Sequence, residues 1–222
     1  MAEKISVSVM CGDYKKLGEQ LEKINDFTDE YHFDFMDGHY VPNITLNFDM
    51  IKSLREVASK PINVHLMVTN PEDYIERLIN LGVDSISFHL DTIRNQAFRV
   101  INEVKDNDIK VGIVLNPAER EVSLQYLFDV IDRVTVMTVD PGFAGQKFIP
   151  QMLSKIKNLK SIREDNNYNY EIEVDGSVNQ GTIDQLIVAG VDIYILGNSG
   201  FFSLGADLDE AIENTKKYIC FK

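Results

Sequence analysis

His32-Phe33-Asp34-Phe35-Met36-Asp37-Gly38-His39-Tyr40-Val41-Pro42-Asn43 reads as a strand that runs out into a polar loop. Side chains alternate along a strand, so Phe33 and Phe35 share one face while His32, Asp34 and Met36 share the other. The first face is apolar and can pack. The second sets an imidazole and a carboxylate two residues apart, a pairing suited to a divalent metal. Asp37-Gly38 then breaks the strand, and Pro42-Asn43 stiffens the exit.

The same alternation of strand and helix extends outward from this stretch. Strand patterns cover 5–10, 31–36, 61–68, 84–89, 110–115, 133–139, 170–175 and 192–197. Helical spacing covers 14–25, 48–59, 71–81, 95–107, 121–128, 150–164, 180–189 and 208–219. Strict alternation implies parallel strands joined by helical crossovers. Eight such units predict an α/β fold, a single (β/α)8 TIM barrel spanning 1–222 as one domain. The competitor is an open doubly wound sheet. No Gly-x-Gly-x-x-Gly follows the first strand, so its dinucleotide-binding form has no support.

Composition excludes several classes. The net charge of −13 and the absence of a Lys/Arg cluster argue against nucleic acid and against an acidic membrane surface. No stretch approaches the roughly 20 apolar residues of a bilayer span, and the N-terminus lacks a signal-peptide pattern, so a cytoplasmic location is expected. Cys11 and Cys220 sit near opposite ends of the chain with no metal-ligand spacing and read as free thiols.

In such barrels the site lies at the C-terminal ends of the strands. There the sequence places His32, Asp34, His65 and Asp175, two His and two Asp on three strands, an expected four-ligand metal site. His39 and His89 fall out of register with this set and are expected to be structural. Gly142–Gly145 and Gly197–Gly200 are short loops whose backbone N–H groups can approach a phosphate. A short extra helix fits at Phe201-Phe202-Ser203. Met36, Met67 and Met137 point into the same mouth, either as gap-filling core or as a water-excluding lining around a reactive intermediate.

These residues also carry a resemblance. The runs 32–43, Val64-His65-Leu66-Met67, 136–146 and Glu173-Val174-Asp175-Gly176 resemble the ribulose-phosphate 3-epimerase family, over about 5–219. The resemblance implies one divalent metal ion, often zinc, with Mn, Co or Mg as alternatives, held by His32, Asp34, His65 and Asp175. It implies Asp34 and Asp175 as the acid/base pair. It implies phosphosugar contacts from Ser8, His65, Gly142, Phe143, Ala144, Gly145, Asp175, Gly176, Ser177, Gly197 and Asn198. A homo-oligomer is also expected. Within the family, Met10-Cys11, Ala144, Ser177 and the runs 92–99 and 197–202 are similar to the branch acting on D-allulose 6-phosphate, which implies its conversion to D-fructose 6-phosphate. D-ribulose 5-phosphate is the alternative substrate. A Schiff-base barrel is disfavoured, because Lys110 starts its strand at the far end and Lys147 is in a loop. A noncatalytic phosphosugar-binding barrel would have no need of both Asp34 and Asp175.

Overall fold

The structure, a computed structural model, describes residues 3–219. Eight parallel strands close into one barrel in sequence order. They are β1 (Lys4–Ser8), β2 (Glu30–Met36), β3 (Ile62–Met67), β4 (Ser85–His89), β5 (Lys110–Leu115), β6 (Arg133–Met137), β7 (Glu171–Asp175) and β8 (Ile193–Leu196). The helices are α1 (Leu17–Ile24), α2 (Phe48–Arg55), α3 (Glu72–Asn80), α4 (Leu90–Ile93), α5 (Ala97–Lys105), α6 (Met152–Asn166), α7 (Ile183–Ala189) and α8 (Leu208–Tyr218). None among the described residues is long and apolar enough to cross a membrane. Cys220 lies outside the described residues.

The fifth crossover departs from expectation. The helix expected over 121–128 is a 3-10 turn at Glu121–Leu124 followed by further tight turns. Its bonds run three residues back, as in Leu127 N–H to the Leu124 carbonyl at 2.7 Å. Leu124, Leu127 and Phe128 are buried, so tight turns satisfy the same apolar spacing that suggested a helix. The extra helical element expected before α8 is present as one wide turn, Asn198–Phe202.

Outward-facing strand residues are apolar and meet the helices. Phe35, for example, packs on Phe48 at 5.0 Å and on Tyr74 at 5.3 Å between ring centroids. The inward face is largely polar, where branched aliphatic residues dominate in most such barrels. At its N-terminal floor Arg133 donates to Glu30 Oε1 (2.8 Å), Glu30 Oε2 (2.7 Å) and Glu173 Oε2 (2.9 Å). Thr135 Oγ1 donates to Glu173 Oε1 at 2.7 Å, and Ser6 Oγ to Glu30 Oε1 at 3.2 Å. The network ties β1, β2, β6 and β7 together below the site.

A paired hydrogen bond recurs around the same end. Asp29 accepts from Ile5 N–H, Asp84 from Ile62, Asp132 from Val111 and Asp192 from Ile172, each at 2.8 Å. Each aspartate's own N–H returns a bond to the carbonyl of the same partner, at 2.9, 2.9, 2.9 and 2.8 Å. Every odd strand is thus pinned to the start of the next even strand. Asp132→Ala leaves the Val111 amide without its partner, so it is expected to destabilise the fold by about 1–3 kcal/mol. Urea unfolding checks this; a midpoint unchanged from the wild type would show the pairing to be dispensable.

Candidate active site

Strand register builds the site. Asp34 lies beside His65 and Met36 beside Met67 across β2 and β3. Ser8 lies beside His32 across β1 and β2, and Met137 beside Asp175 across β6 and β7. His32 Nε2 is 3.3 Å from Asp34 Oδ1, 3.8 Å from Asp175 Oδ2 and 3.3 Å from His65 Nδ1. His65 Nδ1 is 3.6 Å from Asp34 Oδ1 and 3.4 Å from Asp175 Oδ2. All four donor atoms lie within 4.8 Å of one another. A tetrahedron with bonds of about 2.0–2.2 Å has edges of about 3.3–3.6 Å, so the donor set fits one divalent metal.

Electrostatics point the same way. Burial opposes charge on His32, yet Asp34 outweighs it and lifts the imidazole to about 9. Burial likewise opposes charge on Asp34, but His32 and His65 hold its carboxyl well below the usual range. His65 is also raised, against burial, by the Asp175 and Asp34 carboxylates. Two buried imidazoles facing two carboxylates hold protons where a cation fits.

The pocket above the cluster is lined by Ser8, Asp34, Met36, Met67, Met137 and Asp175, and by loop residues 142–146, 176–178 and 197–199. Every expected substrate-contact residue therefore faces it except His65, which is fully buried behind it. Ser8 Oγ donates to Asp34 Oδ2 at 2.8 Å, which orients the carboxylate. The loops are held from below. Asn43 Nδ2 donates to the Gly142 carbonyl at 2.7 Å, Gln146 Nε2 to the Phe143 carbonyl at 2.9 Å, and Thr138 Oγ1 to Gly176. Gly176 has φ +115°, and a Cβ there would sit 2.5 Å from Val139 Cγ2, so only glycine fits.

Three neighbours lie outside the metal and acid/base set that the sequence points to. Cys11 lines the pocket, and burial first and Asp34 second push its thiol up to about 11. The Asn63 amide sits 3.4 Å from His32 Nδ1, behind the cluster. His89, expected to be structural, has Nε2 2.9 Å from His65 Nε2. It ends β4 two residues after Ser87, which pairs with His65, so alternation puts it on the same inward face after all. His39, by contrast, stays local, with Nδ1 2.9 Å from the Asp37 carbonyl.

The model of the ribulose-phosphate 3 epimerase family matches residues 4–202. The chain belongs to this family. The ribulose-phosphate 3-epimerase of Methanocaldococcus jannaschii is 35% identical over 96% of this chain and 90% of its own. That of Bacillus subtilis is 36% identical over 88% and 91%, and that of Escherichia coli K12 is 36% identical over 89% and 88%. Solved structures show the fold alone. A variant tryptophan synthase α-subunit from Pyrococcus furiosus superposes with TM-score 0.72 at 12% identity, covering 99% of both chains. KGPDC from Streptococcus mutans gives 0.71 at 14% identity, covering 98% of this chain and 99% of its own. This epimerase is an enzyme of the isomerase class.

Proposed function

We propose that the enzyme is a metal-dependent 3-epimerase of a phosphorylated 2-ketose, with Asp34 and Asp175 as its acid/base pair. The observation that carries the reading is that these two carboxylates reach one pocket from different walls, β2 and β7, while both belong to the four-donor cluster. Zinc is the metal that two imidazoles and two carboxylates at this spacing favour. When bound, it supplies Lewis-acid stabilisation of the charge that develops beside the C2 carbonyl.

The chain's own residues do the rest. Asp34 takes the C3 proton from one face and leaves a planar enediolate. Asp175 delivers a proton to the opposite face, and the roles reverse in the back reaction. Met36, Met67 and Met137 keep water from the intermediate, since their thioethers offer it no proton. Backbone groups of Gly142–Gly145 and Gly197-Asn198 hold the phosphate and so orient the sugar.

The relatives' shared name supports D-ribulose 5-phosphate as the substrate, over the six-carbon sugar expected from the sequence. D-allulose 6-phosphate is kept as a second reading because Cys11, Ala144 and Ser177, the residues behind that expectation, all line the pocket. One carbon of extra length is worth about 1–3 kcal/mol in a fitted pocket. Chelator-stripped enzyme is expected to be inactive and to recover on addition of Zn²⁺. The restored enzyme is then assayed for kcat/KM on both sugars, and the five-carbon substrate is expected to be the better one. A higher value for D-allulose 6-phosphate reverses the substrate assignment. Full activity of metal-stripped enzyme sinks the metal-dependent mechanism.

A further inference from the structure

His89 ends β4 directly behind His65, and both rings are fully buried. Nothing in the reaction above uses it. We propose that His89 is a positioning residue: it accepts the proton of His65 Nε2 and thereby keeps the lone pair of His65 Nδ1 turned toward the metal cluster. The inference rests on the metal-site reading above.

The geometry leaves two arrangements. Two nitrogens 2.9 Å apart share one proton. If it sits on His65 Nε2, then His65 Nδ1, which faces His32, Asp34 and Asp175, is free to ligate. If it sits on His89 Nε2, neutral His65 must carry its own proton on Nδ1, and that proton blocks the cluster. The other edge of His89 decides between them. His89 Nδ1 and Asn116 Oδ1 are both buried, and neither has a hydrogen-bond partner among the described residues. The Asn116 side chain raises the basicity of His89, against burial and His65, which lower it.

The Asn116 amide is itself oriented. Its Nδ2 donates to Tyr40 Oη at 2.8 Å, and Tyr40 Oη donates to Asp91 Oδ1 at 3.0 Å. With the amide nitrogen committed to Tyr40, the Asn116 oxygen is a buried acceptor left unfilled, and a proton on His89 Nδ1, itself unfilled, is the donor that would answer it. A proton on Nδ1 leaves His89 Nε2 as an acceptor. Tyr40 also covers the ring of His89, with centroids 4.7 Å apart. The chain Asp91–Tyr40–Asn116–His89–His65 therefore sets one tautomer at the cluster. Partners of this kind commonly govern the affinity of the metal they never touch.

The test uses His89→Phe, which keeps a ring and removes the acceptor, and His89→Gln, which keeps an acceptor at similar reach. Three measurements are made: ¹⁵N-histidine NMR of the metal-free protein at a pH where His65 is neutral, Zn²⁺ affinity by competition with a chromogenic chelator, and thermal unfolding of the metal-free forms. His65 is expected to carry its proton on Nε2 in the wild type. His89→Phe is expected to bind Zn²⁺ about 10–100-fold more weakly, and His89→Gln to recover most of that loss. A merely structural role would lower the unfolding temperature without separating the two variants in affinity. Protonation of wild-type His65 on Nδ1, or wild-type Zn²⁺ affinity in His89→Phe, overturns the proposal. Should wild type fail to bind metal, the metal reading falls while the NMR tautomer still decides on His89. If His89→Phe does not fold, the wild-type tautomer and His89→Gln carry the test.

Discussion

Asp175→Asn is expected to lose epimerisation by at least roughly 10²–10⁴-fold, the usual contribution of a positioned acid or base. Asparagine keeps the shape of the side chain and cannot exchange a proton with carbon. The loss is expected in kcat, because on the proposed mechanism the Gly142–Gly145 and Gly197-Asn198 loops would still hold the phosphate. The amide is also a poorer ligand than the carboxylate, so metal content is measured alongside activity. Asp34 is untouched, and slow exchange of the C3 proton of one epimer is expected to survive in D₂O. Turnover near the wild-type rate, with normal metal content, would mean that one carboxylate serves both faces.

Arg133→Met is expected to produce the largest change in stability, about 3–5 kcal/mol, because it removes one partner from a buried ion cluster. Methionine approximates the length of the side chain but leaves Glu30 and Glu173, 8% and 0% exposed, without their cation. Burial opposes charge on Glu30, yet Arg133 holds its carboxyl below the usual range. Burial pushes Glu173 up instead, despite the same guanidinium. The sign for Glu30 follows from its depressed value. Its contribution is complete above the ordinary carboxylate range and is lost as pH falls through the lowered one. The deficit of Arg133→Met is therefore expected to be widest near neutrality and to narrow in acid, where the unpaired carboxylates protonate. Urea unfolding at several pH values measures it. A deficit that stays constant from neutral to acid pH would show that Arg133 acts by packing alone.

The sequence disclosed those parts of the enzyme that depend on one strand at a time. His32, Asp34, His65 and Asp175 could be read because each lies on a strand and its direction follows from alternation. The barrel could be read because eight strand patterns alternate with helical ones. What stayed hidden depends on register between strands. Arg133 lies 103 residues from Glu30 and 40 from Glu173, and their contact follows only once β2, β6 and β7 are aligned. His89 shares the inward face of Ser85 and Ser87, and what singles it out is its contact with His65 on the neighbouring strand, which needs the β3–β4 alignment. The 3-10 crossover at Glu121–Leu124 was misread because buried leucines in tight turns copy the spacing of a helix.

The four paired hydrogen bonds made by Asp29, Asp84, Asp132 and Asp192 bear on how the barrel is assembled. Each closes a chain segment of only 20–24 residues. Loop-closure entropy grows with segment length, so these short closures are expected to precede the β1–β8 contact that seals the cylinder. The latched unit is a two-strand quarter, an odd strand with the crossover and even strand that follow it. The joints between quarters, after β2, β4 and β6, carry no such bond and are the natural seams for circular permutation. A cut there leaves every quarter's internal latch intact, whereas a cut inside a quarter separates an aspartate from the amide it was placed to hold.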